Sequence, residues 1–263
     1  MTELVPSFDV VVPQTRKIEL DRPWQWLAAG WRDLVRSPGP SLTIGAVFAV
    51  VGYAVTVGLW WFGLLYLAMP LASGFMIVAP VFAVGLYEIS RLHQRGQPVT
   101  LTEALRPFWD RPRRLLVMGF ILLLILLTWI RIAAMIFMLY WGLEPPSFED
   151  LIVSTFLRPE SLPFLVFGTA IGAVFATIAY AVSVVSIPMI LDRHDVDVIT
   201  AVVTSVKTVQ QNPVPMLFWA VLVAAFTGLG MLALYVGLIV TLPLIGHASW
   251  HAYRDLVQFS DRG

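Results

Sequence analysis

Long apolar runs, separated by short polar segments, dominate the pattern along the chain. A helix needs about 20 apolar residues to cross a hydrocarbon core of roughly 30 Å, where no water satisfies backbone groups. Gly63 alone separates the first two runs, which predicts a tight hairpin. The last run is too long for one crossing at ~1.5 Å per residue, and Gly228 and Gly230 near its middle predict a turn. The predicted spans are residues 42–62, 64–87, 115–141, 162–190, 215–231 and 233–253.

The basic residues orient this six-span arrangement. Fifteen of the seventeen Lys and Arg residues lie before the first span, between spans two and three, between spans four and five, or after the sixth. Because Lys and Arg are retained on the cytoplasmic side, both termini are expected in the cytoplasm. The chain then divides into a cytoplasmic tail (1–23), a membrane domain (24–258) and a short cytoplasmic tail (259–263).

Composition supports a membrane protein and narrows its chemistry. Of 263 residues, 58% are hydrophobic and 13% charged, against roughly 25% charged in soluble domains. The formal net charge is zero, which gives no indication of nucleic-acid binding. Cysteine is absent, so disulfides, thiol nucleophiles and thiolate metal sites are excluded. The first two dozen residues hold no apolar stretch typical of a cleavable signal peptide, so the first span is expected to direct insertion.

A short amphipathic segment precedes each predicted hairpin and ends at a proline. The segments cover residues 27–37, 101–111 and 202–212, before Pro38, Pro112 and Pro213. A proline also lies towards the cytoplasmic end of the second helix in each hairpin: Pro80, Pro188 and Pro243. The sequence thus predicts three parallel copies of a cytoplasmic interfacial helix followed by a hairpin, in an all-α integral membrane fold. Aromatic and basic residues of these segments are predicted to anchor in the lipid headgroup layer: Trp24, Trp26, Trp31, Arg32, Arg106, Trp109 and Lys207.

Arg131 is the only formal charge deep within a predicted span. An unpaired arginine there costs at least ~2.5 to 3.5 kcal/mol on insertion scales, which makes it a candidate functional residue. It is predicted to lie in the outer part of the membrane, where it snorkels or pairs with Glu144 or Glu149 of the acidic outer loop. A structural anchor is the favoured interpretation over a substrate or ion contact.

His247 and His251 lie one helical turn apart in the sixth predicted span, so both rings project from one face. Two imidazoles at this spacing can bind a metal or haem, with further ligands from Glu88, His93, Asp192 or His194 near the same membrane surface. No motif fixes such a geometry, and interfacial histidines are ordinary. The favoured expectation is no metal and no cofactor.

Other patterns indicate packing rather than chemistry. Two ridges of small residues predict close helix contacts: Gly45, Ala49 and Gly52 on the first span, and Gly168, Gly172 and Ala176 on the fourth. The spans hold no mid-depth Asp, Glu or Lys, which disfavours proton pumping. No phosphate-binding loop, metalloprotease motif or serine elbow is present, so a non-enzymatic protein is expected.

Several stretches resemble a family of bacterial integral membrane proteins, domain of unknown function 2189. They include Pro-Trp-Gln-Trp-Leu at 23–27 and Gly-His-Ala-Ser-Trp-His at 246–251, together with residues 30–34, 85–88, 186–189, 191–193 and 253–255. The resemblance runs from about residue 20 to 258 and implies a bacterial inner membrane, but no activity. Some members are labelled cytochrome c oxidases, although this chain lacks the many histidines over a dozen spans that a catalytic oxidase subunit needs.

These observations favour a non-enzymatic inner-membrane protein that acts through membrane lipids or another membrane-protein complex. A small channel or transporter, with three parallel hairpins around a path lined by Thr and Ser, is the alternative. An accessory role beside a respiratory oxidase is a second alternative. The sequence leaves the oligomeric state open.

Overall fold

The computed structural model describes residues 13–110, 112–142, 153 and 159–259, and the fold is almost entirely α-helical. In chain order the helices are α1 (Arg22–Arg36), α2 (Pro38–Trp61), α3 (Ala68–Phe82), α4 (Val84–Gln94), α5 (Leu101–Leu105), α6 (Pro107–Asp110), α7 (Pro112–Trp141), α8 (Leu162–Ser183), α9 (Ser186–Asp192), α10 (Val198–Gln211), α11 (Pro213–Leu232) and α12 (Leu238–Leu256). Short 3-10 turns cover Leu65–Leu67 and Pro159–Ser161. Two short strands, β1 (Gln14–Thr15) and β2 (Val257–Gln258), complete the described elements.

Within the described residues, five helical segments are long and apolar enough to cross a membrane. They are Pro38–Trp61, Ala68–Gln94, Pro112–Trp141, Pro159–Asp192 and Pro213–Leu232, with mean hydropathy between 1.9 and 2.6. The protein is therefore an all-α integral membrane protein. Helix α12 occupies the sixth predicted span but is not among the five, because its second half carries His247, His251, Arg254 and Asp255.

Proline defines where three of the long helices begin. Pro38, Pro112 and Pro213 are the first residues of α2, α7 and α11. The first turn of a helix leaves its N–H groups without intrahelical partners, so the missing N–H of proline is tolerated there. Each predicted amphipathic segment is helical, as α1, α5 with α6, and α10.

The second and fourth predicted spans are each interrupted near a proline. Helix α3 contains Pro80 and ends at Phe82, and Ala83 alone separates it from α4. Helix α8 ends at Ser183, and α9, with Pro188, begins at Ser186. At this second break the Val185 N–H donates a hydrogen bond to Ser205 Oγ (3.1 Å), which replaces a lost helical bond. Pro243, in contrast, lies inside the continuous α12.

The turn predicted at Gly228 and Gly230 is wrong, because both glycines lie within α11. The chain reverses between Ala233 and Gly237 instead, where Leu234 and Tyr235 have positive φ angles. Gly230 has a packing role, since a Cβ atom there would lie 3.0 Å from the Leu238 backbone nitrogen. The predicted turn at Gly63 is confirmed by its φ of +69°.

Helix α12 is the centre of the packing. It contacts α1, α2, α4 and α11. A Cβ at Gly30 would lie 2.7 Å from the Ala248 nitrogen, and a Cβ at Gly45 would lie 2.4 Å from the Ile239 oxygen. The first predicted small-residue ridge is thus confirmed as a close contact, since Ala49 is also buried and Gly52 meets the Tyr235 ring. The second ridge packs only at Gly172, which faces Trp129, whereas Gly168 faces open space.

Sequence neighbours are not always packing neighbours. The first predicted hairpin joins α2 and α3, yet α2 packs mainly on α12 and α3 mainly on α7. The two helices meet through aromatic contacts of Phe48 with Phe75 and Phe82. In contrast, α7 packs on α8, and α11 packs on α12.

The two strands join opposite ends of the described chain. They are antiparallel, with Gln14 opposite Gln258 and Thr15 opposite Val257. Asn212 supports this pairing, because its side chain accepts from the Ile18 N–H (2.9 Å) and donates to the Arg16 carbonyl (2.9 Å). Residues 14–15 and 257–258 therefore lie at the same surface of the molecule.

Substitution of Gly45 by alanine should destabilise the protein by about 1–3 kcal/mol, because the new methyl group meets backbone that cannot rotate away. Thermal unfolding in detergent measures the effect. The matched control is Gly58→Ala in the same helix, where no atom lies within 4 Å of the added Cβ. An equal melting temperature for the two variants would contradict the close contact between α2 and α12.

Candidate functional site: a buried Ser–His–Asp–His network

Polar side chains from four helices meet in a cluster beside the second half of α12. Asp33 comes from α1, Ser41 from α2, Ser90 and His93 from α4, and His247 and His251 from α12; Ser37 lies between α1 and α2. Asp33, Ser41, Ser90, His93 and His247 are buried. Buried polar groups must be hydrogen-bonded, and the pairing of this cluster determines its chemistry.

The carboxylate of Asp33 is the centre of the cluster. His93 Nδ1 lies 3.0 Å from Oδ1, and His251 Nε2 lies 2.8 Å from Oδ2. Burial opposes ionisation of Asp33, but hydrogen bonds from His251, Ser90 and His93 outweigh it and lower its pKa to about 2. Asp33 is therefore an anion at neutral pH, and both imidazole nitrogens that face it must carry protons.

This requirement fixes the direction of the bonds around His93. Its Nδ1–H donates to Asp33, so in the neutral ring Nε2 has a free lone pair. Ser37 Oγ lies 2.8 Å from Nε2 and donates its proton there. The result is a directed chain from Ser37 through His93 to Asp33.

His247 is fully buried and forms a second branch of the hydrogen-bond network. Its Nδ1 lies 3.1 Å from the Leu86 carbonyl oxygen, which only accepts, so Nδ1 carries the proton. The same nitrogen is 2.9 Å from Ser90 Oγ, and Nε2 is 2.9 Å from Ser41 Oγ. Ser41 therefore donates to Nε2, and Ser90 can donate onward to Asp33.

Helical spacing brings these residues together. Asp33 and Ser37 are four residues apart, as are His247 and His251, while Ser90 and His93 are three apart. Residues at these spacings share one helix face. The prediction that His247 and His251 project from one face is therefore confirmed, and both rings reach the cluster around Asp33.

Of the further metal ligands predicted from the sequence, His93 joins the cluster, whereas Glu88 and Asp192 bind other residues. Glu88 is bound by Arg91 through two bonds of 2.7 and 2.8 Å. Asp192 accepts from the Tyr253 hydroxyl (3.0 Å) and from Arg254 (2.9 Å). Among the described residues, no group of three or more His, Asp or Glu side chains is arranged to hold a metal ion. The network around Asp33 consists of direct hydrogen bonds instead.

Further ion pairs tie the short helices to the same layer. Arg22 and the Trp26 indole N–H both bind Asp255. Burial raises the pKa of the Asp255 carboxyl, but these two donors reverse the shift and hold it below its usual value. Arg114 donates to the carbonyls of Arg193, His194 and Val196 just after α9. The end of α12 is thereby fixed to α1, and the chain segment after α9 is fixed to α7.

Arg131 lies on an exposed face of α7. Within residues 13–110, 112–142 and 159–259 it has no described hydrogen bond or ion pair. Its predicted partners Glu144 and Glu149 lie outside the described residues.

Of the residues predicted to anchor in the headgroup layer, all but Trp26 are exposed at the protein surface. Trp24, Trp31 and Trp109 are 56%, 50% and 69% exposed, and Arg32, Arg106 and Lys207 are also exposed. Trp26, which was predicted to share this surface, is buried at 3% and packs edge-on against Trp219. The prediction for Trp26 is wrong, because the side of α1 that carries it packs on α12 rather than outward.

Sequence reasoning missed the role of Asp33, Ser37, Ser41 and Ser90. One signal was available, because Asp33 falls on the same face of α1 as Leu27, Gly30 and Leu34. An acidic residue on the apolar face of an amphipathic helix indicates a buried, partnered carboxylate. Its partners come from residues 60 and 218 positions away, which periodicity does not reveal.

The fold and this polar layer define a polytopic α-helical integral membrane protein. A family model described as predicted integral membrane protein (DUF2189) matches residues 68–192 of the chain. The match confirms the predicted resemblance from α3 to α9, whereas the stretches at 23–34 and 246–255 lie outside it. Searches of the curated proteins and of the solved structures give no match.

Replacement of Asp33 by asparagine should lower the free energy of unfolding at pH 7 by about 2 kcal/mol, as expected for a carboxyl whose pKa falls from 3.8 to about 2. A lowered pKa stabilises the fold above pH 4, and this stabilisation is lost as the pH falls towards 2. The difference between wild type and Asp33→Asn should therefore shrink between pH 4 and 2, measured by unfolding in detergent. Asp110→Asn, at an exposed ion pair, is the control. A pH-independent difference would show that Asp33 acts without its charge.

Proposed function

We propose that the chain crosses the membrane six times, with both ends in the cytoplasm of a bacterial inner membrane. The pairing of β1 with β2 supports an even number of crossings, because five would leave residues 14–15 and 257–258 on opposite sides. Helix α12, with 19 residues, supplies the sixth crossing, and its polar second half contacts α1 and α4 rather than lipid. The distribution of basic residues supports the orientation.

Single-cysteine labelling tests this topology, because the chain has no cysteine of its own. Gln14→Cys, Gln97→Cys and Gln258→Cys should react with a membrane-impermeant maleimide only from the cytoplasmic side. Phe62→Cys, at the other end of α2, should react only from the outside. Reaction of Gln14→Cys and Gln258→Cys from opposite sides would overturn the six-span proposal.

On this topology, the short helices α1, α5, α6 and α10 form a cytoplasmic surface that binds lipid headgroups. The observation that carries this proposal is the exposure of Arg32 and Lys207. Neither side chain has a described hydrogen bond or ion pair within residues 13–110, 112–142 and 159–259. Arg106, in contrast, is exposed but bound by Glu103 and Asp110. Arg32 and Lys207 are therefore among the basic groups of these helices that are available to lipid phosphates.

Exposed aromatic and aliphatic side chains beside these cations support the same function. Trp24 and Trp31 lie on α1 near Arg32, and Ile199 and Val203 lie on α10, one or two turns before Lys207. Aromatic rings and basic side chains together favour the headgroup layer, and each Lys or Arg near an anionic membrane contributes about 1 kcal/mol. We propose that the protein acts by binding anionic lipid at this surface.

Arg32→Gln and Lys207→Gln should each weaken the binding of phosphatidylglycerol about fivefold, because about 1 kcal/mol is lost per charge. Lipid titration of the purified protein, followed by native mass spectrometry, measures the affinity. Gln210→Ala, an exposed uncharged position on α10, is the matched control. Unchanged phosphatidylglycerol binding in the double variant would overturn the proposal.

A further inference from the structure

We propose that Ser37, His93 and Asp33 form a catalytic triad that transfers or hydrolyses acyl esters at the membrane surface. Ser37 is the nucleophile, His93 the general base, and Asp33 the positioning residue that orients His93. This departs from the sequence-based expectation of a non-enzymatic protein. The triad depends on the proposed function only in that the lipid-binding surface would supply its substrate.

The first support is the geometry. A nucleophile and its base must lie within about 2.6–3.2 Å, and a third group must orient the base. Ser37 Oγ to His93 Nε2 is 2.8 Å, and His93 Nδ1 to Asp33 Oδ1 is 3.0 Å. The nitrogen that faces the serine is the one that can take its proton, because the other nitrogen is held protonated by the carboxylate.

The second support is a contrast within the same cluster. Ser41 makes an equivalent bond to His247 Nε2 (2.9 Å), but Ser41 and His247 are fully buried, so no substrate reaches them. Ser37 is half-buried and lies in the link between α1 and α2, next to exposed Arg36, Pro38 and Gly39. Ser37 is therefore the serine of the cluster that is both activated and accessible.

The third support is a donor for the charge that develops on the substrate oxygen. Ser37 immediately precedes the 24-residue α2, whose first turn contains Pro38 and Pro40, which lack N–H groups. The Gly39 N–H has no described hydrogen bond within the described residues, and no atom lies within 4 Å of a Cβ built there. This N–H, reinforced by the positive end of the helix dipole, is the oxyanion donor.

His251 strengthens the arrangement from the other side. Its Nε2–H donates to Asp33 Oδ2, so the oxygen that faces His93 keeps its position. His251 is thus a second positioning residue, one step removed from the reacting atoms.

The substrate class follows from the surroundings of Ser37. Val35, 57% exposed, and the two prolines at the start of α2 offer an apolar approach. Arg36 supplies one exposed positive charge beside it. This combination fits an acyl ester with a long apolar chain and an anionic headgroup, which is the chemistry of a membrane phospholipid.

The reaction balances with groups present in the chain and water. Ser37 Oγ attacks the ester carbonyl carbon while its proton passes to His93 Nε2, and the oxyanion forms at the Gly39 N–H. The ester C–O bond then breaks, and His93 returns the proton to the leaving alcohol. Water then attacks the acyl-serine while its proton passes to His93 Nε2, and His93 returns that proton to Ser37 Oγ as the bond to the acyl group breaks and the fatty acid leaves.

A fluorophosphonate probe tests the triad independently of lipid binding, because it reacts only with activated serines. The full chain in detergent should be labelled at Ser37, as identified by peptide mass spectrometry. Ser37→Ala should abolish labelling, and His93→Gln should reduce its rate at least a hundredfold. Ser41→Ala is the matched control and should keep the label at Ser37. Absence of label on Ser37 in folded wild-type protein would overturn the triad.

A conservative variant separates positioning from folding. Asp33→Asn removes the carboxylate that holds His93 Nδ1–H in place, so it should lower the labelling rate of Ser37, and Asp33→Glu, which keeps a carboxylate, should restore part of that rate. Equal rates for the two variants at unchanged melting temperature would contradict the role of Asp33. Release of fatty acid from phosphatidylglycerol vesicles tests the substrate. Labelling of Ser37 without such release would overturn the assignment of a phospholipid as the substrate. The lipid-binding surface would still be tested separately, by the phosphatidylglycerol affinity of the Arg32 and Lys207 variants.

Discussion

The Asp33 carboxylate imposes the strongest constraint on this structure. A negative charge with little access to water is tolerated only when donors surround it, and here they come from α4 and α12. These bonds hold α1 against both helices at a single rotation and depth. The position of Ser37, four residues further along α1, follows from this. So does the point at which α2 enters the membrane, since Pro38 comes next.

Helix α12 has two halves that make different kinds of contact. Its first half approaches α2 and α11 closely enough that Gly45 and Gly230 leave no room for a side chain. Its second half carries two histidines into the polar cluster and ends in Arg254 and Asp255. Helices α1, α2, α4 and α11 pack against α12, which explains why a segment of low hydropathy is accommodated among apolar helices.

Apolar run length, proline position and charge predicted much of this architecture. They located five spans, the starts of α2, α7 and α11, and the short helices ahead of them. These patterns did not predict the features that depend on tertiary contacts. Gly228 and Gly230 read as a turn, but the reversal occurs where Leu234 and Tyr235 adopt positive φ. Trp26 and Trp31 look equivalent as aromatic residues of α1, yet only Trp31 faces outward. Asp33, His93 and His251 are distant in sequence, so pattern analysis of single segments could not assemble them.

The pairing of β1 with β2 brings residues 14–15 beside residues 257–258. The two ends of the described chain therefore lie close together. The order in which the helices are connected along the chain could be changed without changing how they pack. A short linker could join the strands, and the chain could be reopened in the exposed segment between α4 and α5, near Gly96. Such a circular permutant would keep every helix contact and place both new ends in that exposed segment. Reporter fragments could then be fused at the new ends, and sequences varied there, without disturbing the Asp33 cluster.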